Sequence, residues 1–102
     1  MRAYVWTYKV KPDRIVEFRR GYSSTGDWAR LFATSPDYRG PKLLCDAIDK
    51  SRFMTIDYFS TPDGRGKFLA SNKARYDALD EIWQDATIEE SCVGEFDIEG
   101  EF

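Results

Sequence analysis

The sequence predicts an α+β fold: a ferredoxin-like βαββαβ domain whose four-stranded antiparallel sheet carries its helices on one face. Three observations predict it. Stretches with strand character (3–10, 42–48, 52–60 and 91–98) are separated by stretches whose apolar residues recur three and four apart. Turn residues mark the joints, in Ser23-Ser24-Thr25-Gly26, Asp49-Lys50-Ser51 and Thr61-Pro62-Asp63-Gly64-Arg65-Gly66. The chain has 102 residues, the length of a single domain (1–102) with an expected radius of gyration near ~13 Å.

The first strand alternates cleanly. Tyr4, Trp6, Tyr8 and Val10 share one face, Ala3, Val5, Thr7 and Lys9 the other, and both faces are apolar near the middle, as in a strand covered on both sides. Pro12 suits the first turn of a helix, where its missing N–H is not needed. That helix carries Ile15, Phe18 and Tyr22 on one stripe, with Arg14, Glu17, Arg19 and Arg20 toward solvent. A second short helix follows, with Asp27 as its expected N-cap and Trp28, Leu31 and Phe32 pointing one way. Pro36 and Gly40 bracket its exit. The next two strands form a hairpin across Asp49-Lys50-Ser51. The long helix then aligns Phe68, Asn72, Tyr76, Leu79 and Trp83, flanked by Leu69 and Ile82. Thr87-Ile88-Glu89-Glu90 has capping-box spacing, which predicts a short helical turn before the last strand.

Several function classes are disfavoured. The net charge is −3, and the cations are scattered rather than gathered into the basic stripe that nucleic acid needs. No apolar run is long enough for a membrane helix, and the N-terminus enters a strand instead of a signal peptide, so a cytoplasmic protein is expected. Histidine is absent, which removes imidazole metal sites, His-ligated haem and Ser-His-Asp catalysis. Gly64-Arg65-Gly66 lacks the third glycine of a dinucleotide loop. No cofactor is expected. Cys45 and Cys92 have no metal-like spacing and are expected as buried free thiols on opposite sheet edges.

Seven Phe, six Tyr and three Trp are a heavy aromatic load for this length, and serve either a ligand pocket or a core completed by a second subunit. With both helices on one face, the other face of the sheet would expose more apolar area than monomers tolerate. A homodimer buries it.

The residues also carry a resemblance. Gly26-Asp27-Trp28-Ala29-Arg30-Leu31-Phe32, then Ser35-Pro36-Asp37-Tyr38-Arg39-Gly40 and Leu43-Leu44-Cys45-Asp46, resemble the antibiotic-biosynthesis-monooxygenase-like family of small dimeric α+β barrels. Tyr4-Val5-Trp6-Thr7-Tyr8-Lys9-Val10 is similar to the family's first strand, and Phe53-Met54-Thr55-Ile56-Asp57-Tyr58-Phe59-Ser60 to its third. Phe68-Leu69 with Tyr76-Asp77-Ala78-Leu79-Asp80 resembles its second helix, and Glu89-Glu90 before Val93-Gly94-Glu95-Phe96 its closing strand. The resemblance implies that two chains join their sheets into one barrel. It also implies a ligand site between helices and sheet. Some members of the family oxygenate polycyclic phenols without flavin, haem or metal, the deprotonated substrate itself reducing dioxygen.

Seven residues are candidates for such a site. Asp57, a carboxylate mid-strand among apolar neighbours, must be paired, hydrogen-bonded or protonated: either it ties the strand to a backbone N–H, an indole N–H or an Arg of a neighbouring helix or subunit, or it is a polar anchor or general base in a pocket. Asn72 and Trp83 complete the catalytic candidates, the first as an amide on an aromatic stripe and the second as an indole facing the sheet. Tyr22, Trp28, Phe32 and Tyr76 are the substrate-binding candidates. The expected function is a cofactor-independent monooxygenase on an aromatic, phenolic or quinol-like molecule. A non-enzymatic dimeric module, either binding an apolar ligand or with its cavity filled, stays open beside it.

Overall fold

The computed structural model describes residues 1–100. Strand β1 (Arg2–Val10) lies inside the sheet, with β3 (Arg52–Phe59) on one side and β4 (Thr87–Asp97) on the other, while β2 (Tyr38–Cys45) forms the far edge. The order is β2-β3-β1-β4, with every pairing antiparallel. Helices α1 (Ile15–Gly21), α2 (Asp27–Phe32) and α3 (Gly64–Trp83) supply the helical layer. This is the predicted α+β class, and the radius of gyration is 13.6 Å.

The core between sheet and helices is built from rings. One cluster gathers Tyr8, Val10, Phe18, Tyr22, Phe53 and Trp83, and the other Leu31, Phe32, Phe59 and Phe68. Phe18 and Tyr22 stack at 4.0 Å between centroids, and Tyr8 meets both edge-on at 5.3 Å. Such offset and edge contacts match the quadrupoles of the rings. Trp28 belongs to the margin of both clusters, which makes α2 the bridge between them.

Local structure departs from the pattern in four places. The capping-box residues Thr87–Glu90 are strand, paired with Val10, Lys9 and Tyr8 of β1, and the helical turn lies just before them at Gln84–Ala86. Cross-strand pairing along an interior partner outweighs a single side-chain cap. Asp27 does not cap α2, whose N-cap is Gly26; its carboxylate instead takes the Arg30 guanidinium at 2.6 Å and the Trp83 indole N–H at 3.3 Å. Helix α3 begins at Gly64, inside the expected loop. Strand β2 starts at Tyr38, and Gly40, at φ +91°, sits in an irregularity that lets Tyr38 and Pro41 both pair with β3.

Two smaller points follow from the edges. The hairpin between β2 and β3 is wider than expected, running from Asp46 to Ser51. It is tied by Asp46 Oδ1 accepting the Ile48 and Asp49 amides at 2.8 and 3.0 Å, and by Asp49 accepting the Lys9 ammonium at 2.7 Å. Both cysteines are free thiols on the two edge strands, but neither is buried as expected: Cys45 is half-buried and Cys92 exposed, because an edge strand has no neighbour on one flank.

Candidate active site

A cleft lies between the helices and the sheet. Its floor is Trp6 and Tyr8 of β1, Thr55 and Asp57 of β3 and Pro41 of β2, with the exposed Glu90 of β4 at its edge. Its walls and roof are Tyr22, then Trp28, Ala29 and Phe32 of α2, with Arg65, Tyr76 and Asp80 of α3. The floor follows from strand periodicity. Phe53, Thr55, Asp57 and Phe59 point to the helices, as do Tyr4, Trp6 and Tyr8 across the register, because alternate residues share a face.

Asp57 is the carboxylate of the floor. Its Oδ1 accepts the Tyr38 hydroxyl at 3.1 Å, and Oδ2 has no partner among the described residues. Burial pushes its pKa up to about 6, while the Tyr38 bond and the Arg65 charge pull the other way. Arg65 itself stands over the Tyr4 ring at 5.0 Å, and no carboxylate among the described residues pairs with it.

The phenols around Asp57 are held neutral. Burial raises Tyr8, Tyr22, Tyr38 and Tyr76 above the ordinary phenol range. The Tyr8 hydroxyl lies 3.3 Å from Thr55 Oγ1. Trp28 meets Tyr76 edge-on at 5.3 Å and stacks toward Phe32 at 6.2 Å. Its indole N–H is buried without a well-formed hydrogen bond, and the Tyr22 hydroxyl is the polar group that interacts with it. The space between the lining atoms, open mouth included, is about 510 Å³, of which about 40 Å³ admits the centre of a water molecule. A few waters fit as the side chains stand. An aromatic ligand requires the roof to move.

Five of the seven sequence candidates therefore share one cleft: Tyr22, Trp28, Phe32, Asp57 and Tyr76. Two lie elsewhere. Trp83 is buried against Gly21, with its N–H on Asp27, and faces a separate surface groove. Asn72 sits at a kink in α3 (φ −130°, ψ 25°), where its amide donates to the Phe68 carbonyl at 3.0 Å and accepts from Arg75 at 3.4 Å. Trp6, Tyr8, Thr55, Arg65, Asp80 and Glu90 line the cleft without having been candidates. The first three were legible from alternation, since they share the face of Asp57 or pair beside it. Arg65 and Glu90 were hidden because their segments read as a loop and a helical turn.

Among the described residues, no group of three or more Cys, Asp or Glu side chains is arranged to hold a metal, and no helix is long and apolar enough to cross a membrane. No protein-family model matches the sequence, and a comparison with curated proteins finds no match. Solved structures do match along nearly the whole chain. A candidate antibiotic biosynthesis monooxygenase from Bordetella bronchiseptica is 16% identical, with a TM-score of 0.73 over 96% of each chain. One from Nitrosomonas europaea is 18% identical, with a TM-score of 0.68 over 95% of this chain and 97% of its own. SnoaB, a cofactor-independent oxygenase from Streptomyces nogalater, is 18% identical, with a TM-score of 0.67 over 98% of this chain and 94% of its own. The chain thus has the fold of the antibiotic biosynthesis monooxygenases, and at these identities the likeness is one of fold.

Proposed function

We propose that the cleft is the active site of a cofactor-independent monooxygenase acting on an aromatic, phenolic or quinol-like small molecule. One observation carries the reading. An under-partnered carboxylate, raised to about 6, stands on the floor of a cleft walled by rings. A base with that pKa is mostly ionised at neutral pH, yet more basic than a surface aspartate, which suits removal of a phenolic or adjacent C–H proton.

Asp57 takes that proton, and Arg65 stabilises the oxyanion. The electron-rich anion gives one electron to dioxygen, and the resulting radical pair joins through a C–O bond. The peroxide then loses water to leave a carbonyl, one oxygen atom in the product and one in the water. The proton held by Asp57 leaves with that water. Trp6, Trp28 and Tyr76 orient the ring and keep the reacting carbon dry. The similarity in fold to a cofactor-independent oxygenase supports the reading. The narrowness of the cleft favours instead the alternative of a module whose cavity is filled, and turnover separates the two.

Oxygen consumption with a hydroxyanthrone, in the presence of a chelator, is the test. The account expects protein-dependent uptake with one carbonyl formed per dioxygen, and a loss of about 100-fold or more in Asp57→Asn. Absence of uptake over a range of phenols and quinols contradicts it.

The active unit is a homodimer in this proposal. The face of the sheet away from the helices carries Val5, Leu44, Met54, Ile56 and Phe96, placed there by the pairings Val5–Ile56, Leu44–Met54 and Ala3–Phe96. Leu44 and Phe96 are 44% and 50% exposed in the single chain. A second copy laid sheet to sheet removes that area from water.

A further inference from the structure

We propose that the ligand of this cleft is a cation: an aromatic molecule bearing an amine, whose ammonium lies at the rim between Asp80 and Glu90 while its ring goes inward. The proposal rests on the reading of the cleft as a small-molecule site, and adds to it the charge of the molecule and the residues that select it.

The charges of the lining are out of balance. Asp57, Asp80 and Glu90 face one cation, Arg65, and none of the four has an ion-pair partner among the described residues, whose ion pairs all join other groups. Asp80 and Glu90 come from different elements, α3 and β4, yet lie near enough to feel each other. Glu90 is raised by burial first and by the Asp80 charge second. Both carboxylates also act on the Tyr22 and Tyr76 hydroxyls, so they look onto the same rings. Two like charges converging on one opening are opposed by mutual repulsion, which a cation between them relieves.

The rings supply the second argument. Tyr22 and Trp28 lie 6.0 Å apart, and Trp28 and Tyr76 5.3 Å apart, in tilted and edge-to-face arrangements. Tyr22 is buried with one face on Phe18, so the half-buried Trp28 and Tyr76 are the rings left beside the cleft, and an ammonium near them gains from their π systems together with the carboxylates. A metal ion is the poorer occupant, because no three-donor group is arranged to ligate one among the described residues. An organic ammonium needs no such shell. Asp57 Oδ2, in the same cleft, has no partner among the described residues and is free to accept the hydroxyl of a ring that goes inward from the amine.

Three probes that share a phenol and differ in tail charge test this: tyramine, 4-ethylphenol and 3-(4-hydroxyphenyl)propionate. Binding is measured by isothermal titration calorimetry at pH 7 and low salt, with the parent and with the double variant Asp80→Asn, Glu90→Gln. Both positions are exposed, and circular dichroism checks that the variant is folded. Tyramine is expected to bind about tenfold tighter than 4-ethylphenol, the propionate weakest, and the variant to bring tyramine within about twofold of an unchanged 4-ethylphenol. Equal binding of tyramine and 4-ethylphenol, or a preference that survives the double variant, overturns the proposal and leaves the phenol site standing. Failure of all three to bind overturns the cleft as a phenol site and this proposal with it.

Discussion

Burial of the Asp57 carboxyl costs the folded chain stability wherever that carboxyl is ionised. Its pKa is raised from 3.8 to about 6, chiefly by burial. Between those values the folded protein keeps a proton that the unfolded chain releases, so stability falls as pH rises through that window. Asp57→Asn removes the penalty. The variant is expected to be more stable than the parent at pH 8, by about 3 kcal/mol, and equal to it at pH 3, in urea titrations at both pH values. A variant that gains stability while losing turnover marks a functional residue, whereas a loss of stability at pH 8 marks Asp57 as structural. Tyr38 tunes the same group. Its hydroxyl lowers the Asp57 pKa, so Tyr38→Phe moves the acid limb of kcat/KM above about 6, as read from the pH profile. An unmoved limb assigns that limb to another group.

The elements that place Asp57 differ in how far their sequence declared them. Strands β1 and β3 announce themselves by alternation, and with them the floor of the cleft, because a face follows directly from a period of two. The α2 stripe of Trp28, Leu31 and Phe32 is equally plain. The start of α3 and the nature of Thr87–Glu90 are not. In both, a short-range signal (Gly and Pro in one, a capping box in the other) competed with a long-range partner that a local pattern does not contain. Trp83 shows the same limit. Its place on the apolar stripe was legible, but Gly21 opens a gap in α1 into which the ring drops, away from the cleft. A Cβ at Gly21 would run into that ring. Gly21→Ala is expected to cost about 1–3 kcal/mol and lower the Tm measured by scanning calorimetry, while Trp83→Phe in the same background restores part of the loss. An unchanged Tm would mean that Trp83 is free to move, and its exclusion from the cleft with it.

At the scale of the whole molecule, the described residues leave a sheet face to be covered and a cleft between helices and sheet to be filled. The sequence showed the first as an apolar sheet face opposite the helices, and the strand register places Val5, Ile56 and Leu44 on it. Light scattering is expected to give a dimer mass for the parent and a monomer mass for Leu44→Asp, Phe96→Asp; a monomeric parent contradicts the dimer. The second was only half legible, since charge balance inside a cleft emerges when Arg65, Asp80 and Glu90 arrive from separate elements.

The central claim is that this cleft receives an aromatic ring with its acidic proton at Asp57. The measurement that tests it most directly is a crystal structure of the protein with a hydroxyanthrone, grown without oxygen. The account predicts the ring between Trp28 and Tyr76 on one side and Thr55 on the other, its phenolic oxygen within hydrogen-bond distance of Asp57 and the roof displaced to admit it. A ring bound elsewhere, or a cleft still closed at saturating ligand, would contradict it.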